Sequence, residues 1–268
     1  MAATRMLIGS LEVAIISDGD LALEPERVYA GVPDEDRARV VQVDENGKVP
    51  VPINCAVVRS GERRILLDTG VGRDEPKLFG GRYGDTCGRL LDGLRGLGLS
   101  PADIDTVVIS HAHGDHVGGA TERLEDRFVP TFPNAAYWVW KGEWEHWTGP
   151  DGLRERPDLV YKLPPLAEHG RLELADSEVD VAPGVRLVAA HGHTPGHVCV
   201  ALTSGSEMAI YTGDLVVHVG QLEHPEWSSA FDLLPTMAAA TRRRIFERTR
   251  RENGVLLAAH LPTPVRMS

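Results

Sequence analysis

The stretch Thr106-Val107-Val108-Ile109-Ser110-His111-Ala112-His113-Gly114-Asp115-His116 reads as a short strand that runs into three imidazoles and a carboxylate. β-Branched residues favour an extended backbone, whereas so many metal-binding groups within six residues are costly to bury without a shared cation. His111 and His113 share one face of an extended segment or converge on one ion across a tight turn. Asp115 and His116, being adjacent, are free to face a second ion.

Upstream of this stretch, Ser100-Pro101-Ala102-Asp103 offers an N-cap, a proline at the first helical position and an acidic first turn. Leu90, Leu91, Leu94 and Leu97 recur at helical spacing. Cys55 to Val58 and Arg64 to Asp68 form a hairpin around Gly61, with Ile65, Leu66 and Leu67 as a buried run that ends at the turn Asp68-Thr69-Gly70. The glycine-rich loop from Gly72 to Gly88 carries Phe79 and Tyr83 as expected pocket-lining rings. Leu7 to Ile16 reads as a strand rather than an export signal, and residues 21–50 as an ordered excursion within a single domain spanning 1–268.

Downstream, Tyr137 to Trp140 reads as a strand and a helix starts near Gly142, carrying Trp144 and Trp147. Trp138, Trp140, Trp144 and Trp147 read as core and subunit packing, with a wall of the substrate pocket as the alternative, and Trp138, Trp140 and Trp227 are the rings put forward for that wall. Leu172 to Leu174, Val185 to Ala189, Val198 to Leu202 and Met208 to Tyr211 are strand candidates. A helix from Pro235 to the stop at Gly254 precedes another strand, Val255 to Ala258. Strands alternating with helices predict two sheets with helices packed outside.

Three later positions complete the ligand series. His193 sits in Gly192-His193-Thr194-Pro195-Gly196-His197, a tight loop that aims an imidazole inward, while His197 reads as a structural imidazole and His191 as a neighbour rather than a ligand. Asp214, after a strand and beside Gly213, is placed to bridge two ions, and His260 closes the second site.

Composition narrows the function. A formal charge of -11 disfavours a nucleic-acid binder. The basic run Arg242, Arg243, Arg244, Arg248, Arg250 and Arg251 reads as the wet face of a helix. Cys55, Cys87 and Cys199 form no paired motif, which suits a reducing cytoplasm, and no apolar run is long enough to span a bilayer.

On these residues the chain resembles the metallo-β-lactamase superfamily over most of 7–263. Its His-X-His-X-Asp-His signature matches His111, His113, Asp115 and His116 without alteration, and its later histidine, bridging aspartate and last histidine correspond to His193, Asp214 and His260. The resemblance implies an αβ/βα sandwich with two central mixed β-sheets and flanking helices. It also implies a dinuclear site in which His111, His113 and His193 hold one ion, Asp115, His116 and His260 the other, and Asp214 bridges, with Asp68 supporting the site from behind. Zinc suits the donors, and iron, manganese and cobalt are compatible.

Phe132-Pro133-Asn134-Ala135, the region of Trp144, His224 to Ser229 and Ala259 to Pro262 make the chain similar to lactonases and methyl-parathion-hydrolase-like enzymes. Hydrolysis of a small lactone or carboxylic ester by a bridging hydroxide is therefore expected, with Asp115 aiding proton transfer to the leaving oxygen. The alternatives are phosphotriester hydrolysis, or a non-hydrolytic biosynthetic or metal-binding role. One departure stands out: where some acyl-homoserine-lactone lactonases carry a tyrosine shortly after the bridging aspartate, this chain reads Leu215-Val216-Val217-His218, which leaves His218 to reach the pocket or to pack. A homodimer is the expected assembly.

Overall fold

The structure is a computed structural model that describes residues 3–73 and 86–267. Fifteen strands are named in chain order: β1 Thr4–Ile8, β2 Leu11–Leu23, β3 Val49–Ser60, β4 Arg63–Leu67, β5 Thr106–Val108, β6 Thr121–Leu124, β7 Arg127–Pro130, β8 Ala136–Trp140, β9 Leu172–Ala175, β10 Asp180–Ala182, β11 Val185–Ala189, β12 Val198–Ser204, β13 Glu207–Tyr211, β14 Val255–Leu257 and β15 Val265–Arg266. One sheet has the order β1-β2-β3-β4-β5-β8-β9, the other β10-β11-β12-β13-β14-β15, and β6-β7 is a separate hairpin. Both large sheets are mixed: β4, β5, β8 and β9 run parallel, as do β13 and β14, while the other neighbours are antiparallel.

The period of two along the strands explains the layering. In β4, Ile65 and Leu67 enter the core between the sheets, beside Leu187, Val200 and Leu257 of the other sheet. Leu66 points outward beneath Leu90 and Leu94 of the helix Leu90–Gly96. The second sheet repeats the scheme, with Cys199, Ile210 and Leu256 packed under Ile245 and Phe246 of the helix Pro235–Arg251. Each of these fully buried aliphatic or aromatic side chains contributes about 1.5–3 kcal/mol, so the αβ/βα sandwich is held by three apolar layers.

Two local expectations change. The run Leu7 to Ile16 is two strands joined at Gly9-Ser10, because Gly9 takes a positive φ and lets β1 fold back on β2. Residues 21–50 begin and end as sheet, Leu21 pairing with Val51 and Leu23 with Val49, and only the part between is an excursion, with short helices Pro25–Val28 and Asp34–Val40. Among the described residues, no helix is long and apolar enough to cross a membrane.

This topology gathers chemistry at one edge. Asp68 follows β4, His111 to His116 follow β5, His193 lies between β11 and β12, Asp214 follows β13 and His260 follows β14. Loops beyond the carboxyl ends of neighbouring parallel strands converge on a common crevice.

Candidate metal centre

The seven sequence-assigned ligands come together as two groups of donors. His111, His113, His193 and Asp214 form one, and Asp115, His116 and His260 the other; within each, the donor atoms lie within 4.8 Å of one another. Asp214 faces both. Its Oδ2 is 3.6 Å from His111 Nε2 and 3.2 Å from His193 Nε2, while its Oδ1 is 2.8 Å from His116 Nε2 and 2.9 Å from His260 Nε2. His113 presents Nδ1, 2.9 Å from His111 Nε2 and 3.0 Å from His193 Nε2. Asp115 Oδ2 is 3.6 Å from His116 Nε2 and 3.4 Å from His260 Nε2.

These separations fit metal ions. Tetrahedral bonds of about 2.0–2.1 Å place neighbouring ligand atoms about 3.3 Å apart. His116 Nε2 and Asp214 Oδ1 are buried 2.8 Å apart with no other hydrogen-bond partner, so a cation is needed between them, a proton or a metal ion.

The opposite ring nitrogens fix the tautomers. His116 Nδ1 donates to Asp68 Oδ2 at 2.7 Å, His193 Nδ1 to Asp232 Oδ1 at 2.8 Å and His260 Nδ1 to the Pro52 carbonyl at 2.6 Å. His111 Nδ1 meets the Ser110 hydroxyl at 3.1 Å. Each Nε2 is thereby left with its lone pair directed into the site. Burial, reinforced by neighbouring imidazoles, holds His111 and His113 well below the usual imidazole range. Burial also opposes charge on His116, but Asp214, Asp115 and Asp68 together carry it well above that range. Asp214 is driven well below the carboxylate range because the surrounding histidines, His116 and His260 foremost, outweigh its burial.

Asp68, with φ of 59°, sits in a left-handed conformation rare for residues with a side chain. Its carboxylate accepts the Ser110 N–H at 2.7 Å, the Ser110 hydroxyl at 2.8 Å and the Tyr211 hydroxyl at 2.9 Å, besides His116. His197 is a structural imidazole: its Nδ1 donates to the Ala190 carbonyl at 3.1 Å and its Nε2 accepts the Asp214 N–H at 3.1 Å. Gly213 fits that approach because a Cβ there would stand 2.8 Å from both His197 Nε2 and the Ser110 hydroxyl. His191 stays outside both donor groups, half-buried against Trp140.

The aromatic expectations divide. Trp138 and Trp140 pack against the core between the sheets, and Trp227 packs against Tyr29 and His224. A cavity of about 220 Å³ opens beside the ligands; of the four clustered tryptophans Trp147 lines it, with Leu21, Leu23, Val217, Phe231 and Leu233. Phe79 and Tyr83 lie outside the described residues. His218 lines a second depression, which shares His260 with the first, where burial lowers its pKa and its Nδ1 accepts the Tyr29 hydroxyl at 2.6 Å. Val217 occupies the cavity wall in its place.

Three contributors were not singled out by the sequence. Glu143, fully buried, accepts the Ala112 N–H (2.8 Å), the Trp147 indole N–H (2.7 Å), the Thr194 hydroxyl (2.6 Å) and the Gly196 N–H (3.0 Å). One carboxylate thus ties the loop of His111 and His113 to that of His193. The spacing Glu143-X-X-X-Trp147 on the expected helix was the available signal. Asp232 and Arg242 form the other pair, at 3.5 Å. Arg242 is no part of a wet face: it is fully buried and donates to the carbonyls of Leu215, Pro225 and Trp227, while Arg243, Arg244 and Arg250 are exposed.

Comparison with known proteins agrees with this geometry. An N-acyl homoserine lactonase of Bacillus thuringiensis is 24% identical over 222 residues, covering 78% of this chain and 81% of the relative. The structure of AidC, a dizinc quorum-quenching lactonase in complex with an N-acyl-L-homoserine product, superposes with a TM-score of 0.78 at 26% identity, covering 97% of this chain and 91% of the other. The hydrolase AbOPH, also of the β-lactamase superfamily, superposes with a TM-score of 0.82 at 25% identity, covering 97% and 90%. The model of the metallo-beta-lactamase superfamily matches residues 49–260, a span that runs from the start of β3 to His260, the last histidine of the two donor groups, and this chain belongs to that superfamily.

Proposed function

We propose that this protein hydrolyses a small lactone or carboxylic ester at a dinuclear zinc centre. The observation that carries the reading is Asp214, whose two oxygens face two separate donor groups beside a small cavity of mixed polar and apolar lining. His111, His113 and His193 would hold one ion, Asp115, His116 and His260 the other, with Asp214 shared. Bound divalent ions supply hydroxide at neutral pH and polarise the carbonyl under attack. Nitrogen and carboxylate donors without thiolate suit zinc, with iron, manganese or cobalt as the alternatives to exclude by metal analysis.

The chain's own residues do the remaining work. Leu21, Leu23, Phe231 and Leu233 seat the apolar part of the substrate and displace water from it. Asp115 lines the same cavity and is placed to carry a proton to the leaving oxygen as the ring or ester C–O bond breaks. The lactonases among the relatives favour a lactone over an open ester. Three buried free thiols suit a cytoplasmic, reducing location, and a homodimer is the assembly proposed.

The test is a rate comparison of the metal-defined protein on acyl lactones, aryl esters and phosphotriesters. Metal-dependent turnover of lactones or esters is expected, falling at least a hundredfold in His113→Ala and Asp214→Ala variants that remain folded. Two bound metals with no turnover of any lactone or ester would sink the proposal, and a higher kcat/KM for phosphotriesters would replace it with the phosphotriesterase reading.

A further inference from the structure

We infer that Arg27 selects substrates whose far end carries a carboxylate, so that the natural lactone or ester is an acid rather than a neutral molecule; this rests on the hydrolytic reading above. Arg27 lines the same cavity as the ligands, and its guanidinium lies 4.5 Å over the ring of Phe231, another wall residue. Its backbone is anchored too, since the Arg27 carbonyl accepts the Ala230 N–H at 2.9 Å. A guanidinium held over an aromatic ring makes no hydrogen bond to it and so keeps its N–H groups for a planar anion, and a carboxylate matches that fork with two parallel bonds.

Arg27 lacks the counter-ion that would explain it otherwise. Among the described residues no carboxylate comes within 4.0 Å of its guanidinium. Glu24, one turn away, is taken by Lys48, and Arg156 on the same cavity is engaged twice by Asp158, at 2.9 and 2.6 Å. Glu155, which also lines the cavity, is exposed. In a chain of net charge -11, a cation fixed on an apolar wall beside a hydrolytic centre is the group that would recognise an anionic tail. Leu21, Leu23 and Leu233, which line the same cavity, would accommodate a short methylene spacer.

Two readouts on the zinc-loaded full chain test this. The first compares kcat/KM for N-glutaryl-L-homoserine lactone, which ends in a carboxylate, with that for N-hexanoyl-L-homoserine lactone, which ends in a methyl. The native protein should favour the acid, and the acid-to-neutral ratio should fall tenfold or more in Arg27→Met and recover most of that loss in Arg27→Lys. A ratio unchanged by Arg27→Met overturns the inference, whatever the absolute rates. The second is calorimetric titration with N-butylglutaramate, a monoanion without a lactone ring. Its Kd should rise tenfold or more in Arg27→Met, and an unchanged Kd also overturns the inference. Arg27-dependent binding together with no turnover of any lactone or ester in the rate comparison above would leave the anion site standing and strike the hydrolytic reading alone.

Discussion

Asp68 and Asp232 perform one task in opposite halves of the molecule by different electrostatic means. Each accepts the Nδ1 proton of a metal-site histidine, His116 and His193 respectively, and so fixes the nitrogen that faces the site. Asp68 is surrounded otherwise by neutral donors, the Ser110 amide and hydroxyl and the Tyr211 hydroxyl. Asp232 leans on a fully buried cation, Arg242. A carboxylate held by dipoles can be removed at the cost of those bonds, whereas one held by a buried charge leaves that charge without its counter-ion.

Asp232→Ala should therefore have the largest effect, about 3–5 kcal/mol of unfolding free energy by the measure of broken buried ion pairs. Zinc affinity should weaken about 10–100-fold as His193 loses its orienting partner. Denaturant unfolding with zinc titration would check both. The double variant Asp232→Ala with Arg242→Met separates them: stability should return in part, since the unpaired charge is gone, while zinc affinity stays low. Recovery of both together would mean that Asp232 acts through packing alone and would remove the contrast with Asp68.

Asp68→Ala comes next. It takes the acceptor from the Ser110 amide and hydroxyl, while the Tyr211 hydroxyl keeps the Asn54 carbonyl at 3.0 Å, a loss of about 1–3 kcal/mol, and it too should weaken zinc about 10–100-fold through His116. No substitution equivalent to Arg242→Met should rescue it, because among the described residues its one charged partner is His116, itself a member of the site, and no arginine or lysine is paired with it. A stability loss equal to that of Asp232→Ala, with the same rescue by Arg242→Met, would show that the two carboxylates are not energetically distinct.

The pair also shows what a sequence can and cannot disclose. Asp68 was legible because its turn ends an apolar run and matches a family pattern, just as His111 to His116 was legible from six consecutive residues. Asp232 carries no local signal, since it meets His193 from 39 residues away across a loop. Arg242 was misread for a related reason: arginines in succession look like a solvated face, yet at helical pitch the position of Arg242 turns inward beside Ile245 and Phe246. The sheets were readable from apolar and β-branched runs in β4, β5, β8, β9 and β11 to β14, but β10 carried no such run and the Gly9-Ser10 turn was hidden by apolar residues on both sides. Trp138 and Trp140 alternate with buried Tyr137 and Val139, and pattern alone does not say which face of a doubly covered strand meets a cavity.

Asp18 extends the contrast to a third buried carboxylate and gives the smallest predicted effect. Its oxygens accept only backbone N–H groups, from Val71 at 2.8 Å, Gly88 at 3.3 Å and Leu90 at 2.7 Å, which knit the Asp68-Thr69-Gly70 turn to the start of the helix Leu90–Gly96. The turn comes so close that a Cβ on Gly70 would lie 2.4 Å from that carboxylate. Burial pushes Asp18 up to about 6 from 3.8, against the pull of these amides. The folded chain therefore holds this proton more tightly than the unfolded chain does, and Asp18's contribution to stability falls as pH rises from about 3.8 to about 6. The shift corresponds to about 3 kcal/mol across that window. Asp18→Asn cannot ionise, so on acidification from pH 6.5 to 4 the native protein should gain on the variant by up to that amount, whatever their offset at neutral pH. Paired urea titrations across this range would measure it. A difference independent of pH would mean that backbone amides alone satisfy a buried carboxylate as fully as the Arg242 guanidinium satisfies Asp232.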